Sequence, residues 1–275
     1  MKIGFIGAGK AGTAVAGFLK NNGLEVTGFH SRRLESAVDS AVKTDTKAFP
    51  TLEELIEKND AIVISTSDDA IRKYAIALGK RDIKGKILCH MSESYPGGFL
   101  NISGDEELTC LSMHPPYVFH SKEAPEHLAF VIEGSGPRAA EFQEELQRHS
   151  IDAFSVTNEQ KYRYHLALSF MATFTVTLIG MGRDMLRSVG IQNFTPFEPL
   201  LTNSICPAIC AANISDTLGG PIATEDIGAL KRHKKALAQL PPDFAQLYKL
   251  LAENTLPYTR LDNYGKARIR EVLRS

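Results

Sequence analysis

The sequence predicts an α/β protein, a doubly wound parallel sheet followed by an all-α C-terminal domain, on three observations. Short apolar runs alternate with helical patterns through the first half, which is the signature of a parallel sheet wrapped by helices. A glycine-rich turn follows the first of those runs. After about residue 155 the strand pattern stops and helical periodicity alone continues, so the chain divides into residues 1–155 and 156–275. The composition agrees: 275 residues with 43% hydrophobic and 23% charged side chains are ordinary globular usage and exclude a disordered or collagen-like chain.

Taken in order, the expected strands are Lys2 to Ile6, Glu25 to Phe29, Ala61 to Thr66, Ile87 to His90, Thr109 to Met113 and Ala129 to Ile132. Ala11 to Asn22 reads as a helix stopped by Gly23. Thr51 with Glu54 forms a capping box that starts the next helix just after Pro50, and Asp68 or Asp69 caps the one after it. The second half reads as helices over Asn158 to Val189, Pro196 to Ser215, Thr224 to Gln239, Pro241 to Asn254 and Leu261 to Leu273. Pro207 is expected to kink the second of these, because its ring clashes with the preceding turn. Residues 166–182 carry no charge, but Ser169, Thr173, Thr175 and Thr177 interrupt them, so a buried helix is expected rather than a membrane span.

Gly7-Ala8-Gly9-Lys10-Ala11-Gly12 lies between the first strand and the first helix, which gives the GxGxxG pattern its meaning. Gly7 permits the tight turn, Gly9 lets backbone approach a pyrophosphate, and Gly12 allows close packing of helix on strand. The helix N-terminus adds free amides and a positive dipole end. This is the fingerprint of a Rossmann-type dinucleotide site. An NAD site places Asp or Glu at the end of the second strand, but here the chain reads Phe29-His30-Ser31-Arg32-Arg33, with no carboxylate before Glu35. Two guanidinium groups and a hydroxyl suit a 2′-phosphate, so NADP is the expected cofactor, with Thr66, Ser67 and Asp68 as further binding residues.

These features, with Ser67-Asp68-Asp69-Ala70-Ile71, Met113-His114-Pro115 and Phe119, Tyr164-His165, Gly220-Pro221-Ile222-Ala223, Asp226 and His233, carry a family resemblance over nearly the whole chain. The sequence resembles Rossmann-like NADP oxidoreductases with a C-terminal helical domain of unknown function. That group is similar to pyrroline-5-carboxylate reductases, 3-hydroxyisobutyrate dehydrogenases and deazaflavin-dependent NADP oxidoreductases. The resemblance implies an oxidoreductase that forms a homodimer through its C-terminal helices. It supplies no substrate. The chain departs from the group at Ser92-Glu93, where Ser-Gly is usual, at Ala172-Thr173, where Ser-Asn is usual, and at Thr224-Glu225, where Arg-Gly is usual.

Ligands of open parallel sheets sit beyond the carboxyl ends of the strands, where His90, Ser92 and His114 fall. Pro115 and Pro116 stiffen the turn after His114, which is the expected proton donor to a carbonyl or imine. On the long helix Lys161, His165, Ser169, Thr173 and Thr177 recur at steps of four and form a polar stripe. His165 and Thr173 are expected to reach the cleft, with Ser92 and Thr173 orienting the substrate. The alternative is that the hydroxyls bond carbonyls four residues back.

A net charge of -1 leaves no electrostatic footprint for nucleic acid. Lys231 to Lys235 reads as a solvated helix face, and CxxxC at Cys206 and Cys210 is not a zinc spacing, so no metal is expected. Four scattered cysteines and an N-terminus without a signal core point to a reducing cytoplasm. The sequence therefore predicts an NADPH-dependent reductase of a small carbonyl or imine held between the two domains. The competing readings are a non-catalytic NADP-binding regulatory protein and a helical scaffold.

Overall fold

One eight-stranded sheet organises the N-terminal part: β1 (Lys2–Ile6), β2 (Glu25–His30), β3 (Lys47–Ala48), β4 (Ala61–Ile64), β5 (Ile87–His90), β6 (Thr109–His114), β7 (Phe130–Ser135) and β8 (Ala153–Ser155). Their spatial order is β3-β2-β1-β4-β5-β6-β7-β8, so the direction of winding reverses between β1 and β4. In doubly wound sheets that reversal opens a crevice at the carboxyl edge. The computed structural model that shows this describes residues 1–274.

Every neighbouring pair is parallel except β6 and β7, which run antiparallel with Met113 opposite Ile132. The 115–129 connection begins Pro115-Pro116 and contains no helix, so it does not build the crossover a parallel partner needs. The two-residue β3 and three-residue β8 escaped the sequence reading because they are too short to show a period of two.

Helices α1 (Lys10–Asn21), α2 (Leu34–Thr44), α3 (Leu52–Lys58), α4 (Asp68–Leu78) and α5 (Ala139–Arg148) cover the sheet. One apolar layer joins Phe5, Phe29, Phe130 and Phe142, and the other joins Ile6, Leu55, Ile62, Ile64 and Ile71. Truncating such a fully buried side chain to Ala costs about 2 to 5 kcal/mol. At α3, Thr51 accepts from the Glu54 amide at 3.2 Å, which is half of the expected box. The complete box lies at Thr157 and Gln160, which start α6 (Asn158–Leu168). Asp68 and Asp69 occupy the first turn of α4, and Ser67 rather than either carboxylate takes the cap position.

After α6 the chain continues as a π-helical stretch, Ser169–Phe174, and then α7 (Thr175–Ser188), forming one 31-residue helix. By length and hydropathy this helix is apolar enough to cross a membrane. It is not the buried helix the sequence led us to expect. Phe170 is 63% and Val176 68% exposed, because a single chain places no second layer over this face. Compact units divide at Leu178 and Ile179, beyond the change of pattern near residue 155, since the start of the long helix is tied to the sheet.

The second unit contains α8 (Glu198–Cys210), α9 (Ile227–Leu237), α10 (Pro242–Thr255) and α11 (Asn263–Arg274), packed around Leu230, Ala252, Leu256 and Ile269. Helix α8 passes through Pro207 and stops one turn later, where Ala211 turns extended, rather than reaching Ser215. Asp226 caps α9 by accepting from the Ala229 amide at 2.8 Å.

Candidate functional site

The turn after β1 is built around close approaches. Gly7 has φ +109°, a conformation that L side chains rarely adopt. A Cβ at Gly12 would come 2.1 Å from Ser65 Oγ, so this glycine lets α1 sit against the turn after β4. At Gly9 a Cβ would meet nothing within 4 Å, so backbone faces open space where a phosphate could approach. Gly9 also caps α1 without a side-chain hydrogen bond, leaving the first amides of that helix free of side-chain partners. The residues present fit a dinucleotide.

A cavity of about 570 Å³ opens from this turn, lined by Gly7, Ala8 and Gly9. Ser31, Arg32 and Arg33 after β2, Thr66 and Ser67 after β4, and Lys73 and Tyr74 of α4 line it too. No carboxylate lines it. Burial raises the Tyr74 phenol above its ordinary range, against the pull of Arg32. His30 is not among the lining residues: its Nδ1 lies 3.1 Å from the Phe49 carbonyl, and its own carbonyl accepts from the Gly7 amide at 2.8 Å. Lys10 is exposed at the start of α1.

A second cavity, about 270 Å³, shares Ser65 and Thr66 with the first and continues along the carboxyl edge of β5 and β6. Ala11, Asp68, Ser92, Glu93 and His114 line it, with Tyr117 and Phe119 at a ring separation of 4.9 Å. Glu93 stands between two imidazoles: Oε2 is 3.3 Å from His114 Nε2, and Oε1 is 3.1 Å from His165 Nε2. His114 Nδ1 is 2.8 Å from the Tyr164 hydroxyl. Burial pushes the His114 imidazole down to about 4, with Glu93 pulling upward and Lys161 downward. A neutral imidazole avoids turning a lone pair toward a carboxylate by keeping its proton on Nε2, so Nδ1 accepts from Tyr164. Burial, with Glu93 adding, raises that hydroxyl to about 12.

Beneath this cavity lies a buried polar network. Lys161, whose side chain is 2% exposed, donates to the Ser92 carbonyl at 3.2 Å, to Ser112 Oγ at 2.6 Å and to the Tyr95 carbonyl. Its counter-charge is Glu133, 3.9 Å away, which also accepts from the Gly97 amide at 2.8 Å. Burial lowers the Lys161 ammonium to about 8, opposed by Glu133, Asp68 and Glu93. His90 Nε2 donates to the Pro96 carbonyl at 3.2 Å and Nδ1 accepts from the Ser92 amide. Burial pushes His90 to about 4.

Thus Ser92 and His114 line this cavity with Glu93, and His165 reaches Glu93 without lining the cavity itself, while Thr173 lies exposed two turns beyond His165 and does not line it either. Ser169 and Thr177 bond the carbonyls of His165 and Thr173, four residues back. The sequence reading treated Glu93 only as a departure, and Lys161 only as one member of a stripe. It also missed Lys73 and Tyr74. Ala70, Lys73, Tyr74 and Ala77, all facing the larger cavity, stand at i, i+3, i+4 and i+7, a spacing that could have found them.

Sheet order and glycine turn together define a Rossmann-type dinucleotide fold, and the known proteins to which the chain is similar are NAD(P)-dependent oxidoreductases. Residues 2–93 match the family described as NADP oxidoreductase coenzyme F420-dependent, and residues 128–255 match a domain of unknown function, DUF2520. No curated protein matches the chain. Among solved structures, the chain is similar to a protein of Bacteroides fragilis provisionally described as an NADP oxidoreductase. The two share 23% identity, with coverage of 93% of this chain and 98% of that one and a TM-score of 0.69. An imine reductase from Pseudomonas sp. follows at 17% identity, 99% of each chain and a TM-score of 0.60. A pyrroline-5-carboxylate reductase from Coxiella burnetii shares 14% identity over 98% of this chain and 97% of its own, with a TM-score of 0.61.

Proposed function

We propose that the protein is an NADPH-dependent oxidoreductase that reduces a small carbonyl or imine substrate. The observation that carries this reading is the lining of the larger cavity, which includes Ser31, Arg32, Arg33 and Lys73 and no carboxylate. A 2′-phosphate there accepts charge-assisted hydrogen bonds, and guanidinium forks suit its geometry. The backbone of Gly7, Ala8 and Gly9 and the N-terminus of α1, with Lys10 and Ala11, hold the pyrophosphate. Thr66, Ser67 and Asp68 line the path from that site to the smaller cavity.

When bound, the nicotinamide supplies the hydride. Ser92, His114 and His165 act at the substrate end: Ser92 orients the substrate and the two imidazoles hold the reacting group, while Thr173, exposed and outside the cavity lining, takes no part. A neutral carbonyl would draw its proton through the pair formed by Tyr164 and His114. In this reading residues 1–155 bind the cofactor, Tyr164 and His165 at the start of the long helix support the substrate end, and the helices of residues 156–275 pair two copies. The exposed apolar side of the long helix, with Leu166, Phe170, Phe174 and Val176, is the surface that a second copy covers. The four free cysteines, Cys89 and Cys110 buried among them, suit a reducing cytoplasm.

Calorimetric titration tests the cofactor assignment. NADPH is expected to bind about 10- to 100-fold more tightly than NADH, the value of one good charge-assisted contact. Equal affinities would overturn it. Light scattering is expected to report twice the 30.2 kDa chain mass. A second reading, a regulatory NADP-binding protein without turnover, is favoured by one observation: both His114 nitrogens already have partners. Binding of NADPH with no reduction of any carbonyl or imine would support it.

A further inference from the structure

The smaller cavity differs in character from a site for a neutral or anionic substrate. Asp68 and Glu93 both line it, no lysine or arginine does, and the rings of Tyr117 and Phe119 lie on its wall. Carboxylates and aromatic faces together are what recognise organic cations. The nearby ammonium of Lys161 is sealed beneath, surrounded by carbonyls and a hydroxyl and facing Glu133. The Glu93 carboxylate is 44% exposed, so it remains available to a ligand while the two imidazoles fix its position.

We propose that Glu93, which lines this cavity and is held by His114 and His165, selects a cationic nitrogen, so that the substrate is a protonated imine rather than a neutral carbonyl or a carboxylate. This rests on the oxidoreductase reading above and narrows it. The electron balance suits the residues present. The carbon of a C=N–H⁺ group takes the hydride pair from the reduced nicotinamide dinucleotide, the C=N π pair moves onto nitrogen, and the cation becomes a neutral amine. The nitrogen keeps the proton it brought, so the protein donates none. That accords with an imidazole whose Nδ1 faces Tyr164 and whose Nε2 faces Glu93. Glu93 is thus a specificity-determining residue: it stabilises the charge that must be present before the hydride arrives.

The test uses calorimetry on the full chain. Protein is first titrated with NADPH, and the saturated complex is then titrated with piperidinium chloride, with the neutral isostere cyclohexanol and with cyclohexanecarboxylate. Piperidinium is expected to bind at least about tenfold more tightly than either of the others. Glu93→Gln should remove that preference and leave NADPH affinity unchanged, and Glu93→Asp should restore part of it. Equal binding of the three probes, or a preference that survives Glu93→Gln, would overturn the inference while leaving the NADPH site standing. A Glu93→Gln effect confined to oxidised NADP would overturn it too, by assigning the carboxylate to the pyridinium ring. Absence of any NADPH binding would instead overturn the oxidoreductase reading, and this inference with it.

Discussion

Two cavities meet at Ser65 and Thr66, and their walls carry opposite charge. The larger is lined by Arg32, Arg33 and Lys73 and by no carboxylate; the smaller by Asp68 and Glu93 and by no lysine or arginine. Their supports differ as well. The basic wall is made of side chains that reach out from a strand end and a helix face, so it costs the fold little. The acidic wall rests on a buried lysine, a buried glutamate and two imidazoles held neutral, which are groups whose desolvation must be offset by well-placed partners. A nucleotide's phosphates can be met by charges at the surface, whereas the reacting end of the site depends on groups positioned from within.

The largest expected effect comes from removing the cation under the acidic cavity. Lys161→Met leaves Glu133 buried without its counter-charge and should lower stability by about 3 to 5 kcal/mol in urea unfolding. The double variant Lys161→Met with Glu133→Gln should recover part of that loss. A loss below about 1 kcal/mol would show that the acidic cavity stands without its buried support.

Acid should act on the same cavity. His90 and His114 both titrate near 4 when folded, below the ordinary value near 6.5 for an exposed imidazole. The unfolded chain therefore binds more protons in this window. The stability they contribute is complete above about pH 6.5 and is lost as the pH falls toward 4, a change on the order of a few kcal/mol. Scanning calorimetry at pH 7 and pH 4.5 measures it, and His114→Asn should reduce the slope. An unchanged slope would mean that the imidazole beside Glu93 titrates alike in the folded and the unfolded chain, and the contrast between the cavities would soften.

On the basic side, Arg32→Ala with Arg33→Ala should weaken NADPH about 10- to 100-fold and leave NADH unchanged, as read by calorimetry. Equal weakening of both cofactors would place the guanidinium groups on the pyrophosphate instead. The smallest effect is expected at His114 itself. General acid catalysis is worth about 100- to 10,000-fold, but a substrate that carries its own proton makes no such demand. Turnover of a cyclic imine by His114→Asn should thus fall less than about tenfold, with KM rising more than kcat falls. A loss of 100-fold or more in kcat would make His114 the proton donor that its place at the strand end suggests.

The nucleotide half of this molecule was readable because its signals are local. Gly7, Gly9 and Gly12 sit within one turn, and Ser31, Arg32 and Arg33 follow one strand, so each residue's neighbours in sequence are also its neighbours in the site. Glu93, His114 and Tyr164 converge from three separate stretches of chain, and nothing in their spacing announces it. The two helix starts teach a related lesson. Thr51 and Glu54 looked like a capping box and form half of one, whereas Thr157 and Gln160 form a complete one, because a reciprocal cap needs both side chains to be free to turn inward.

The alternation of apolar runs, the glycine turn and the loss of strand pattern after residue 155 were enough to specify a doubly wound sheet followed by helices, since backbone conformation and amphipathic periodicity are properties of neighbouring residues. Which charges face one another is not such a property. Lys161 read as one polar residue on an apolar helix, yet packing buries it against Ser112 and Glu133. The apolar run from Leu166 to Leu178 read as a buried helix, yet within one chain it stays exposed. Periodicity records that a surface must leave water, but only the packed chain shows whether its own core or another surface covers it.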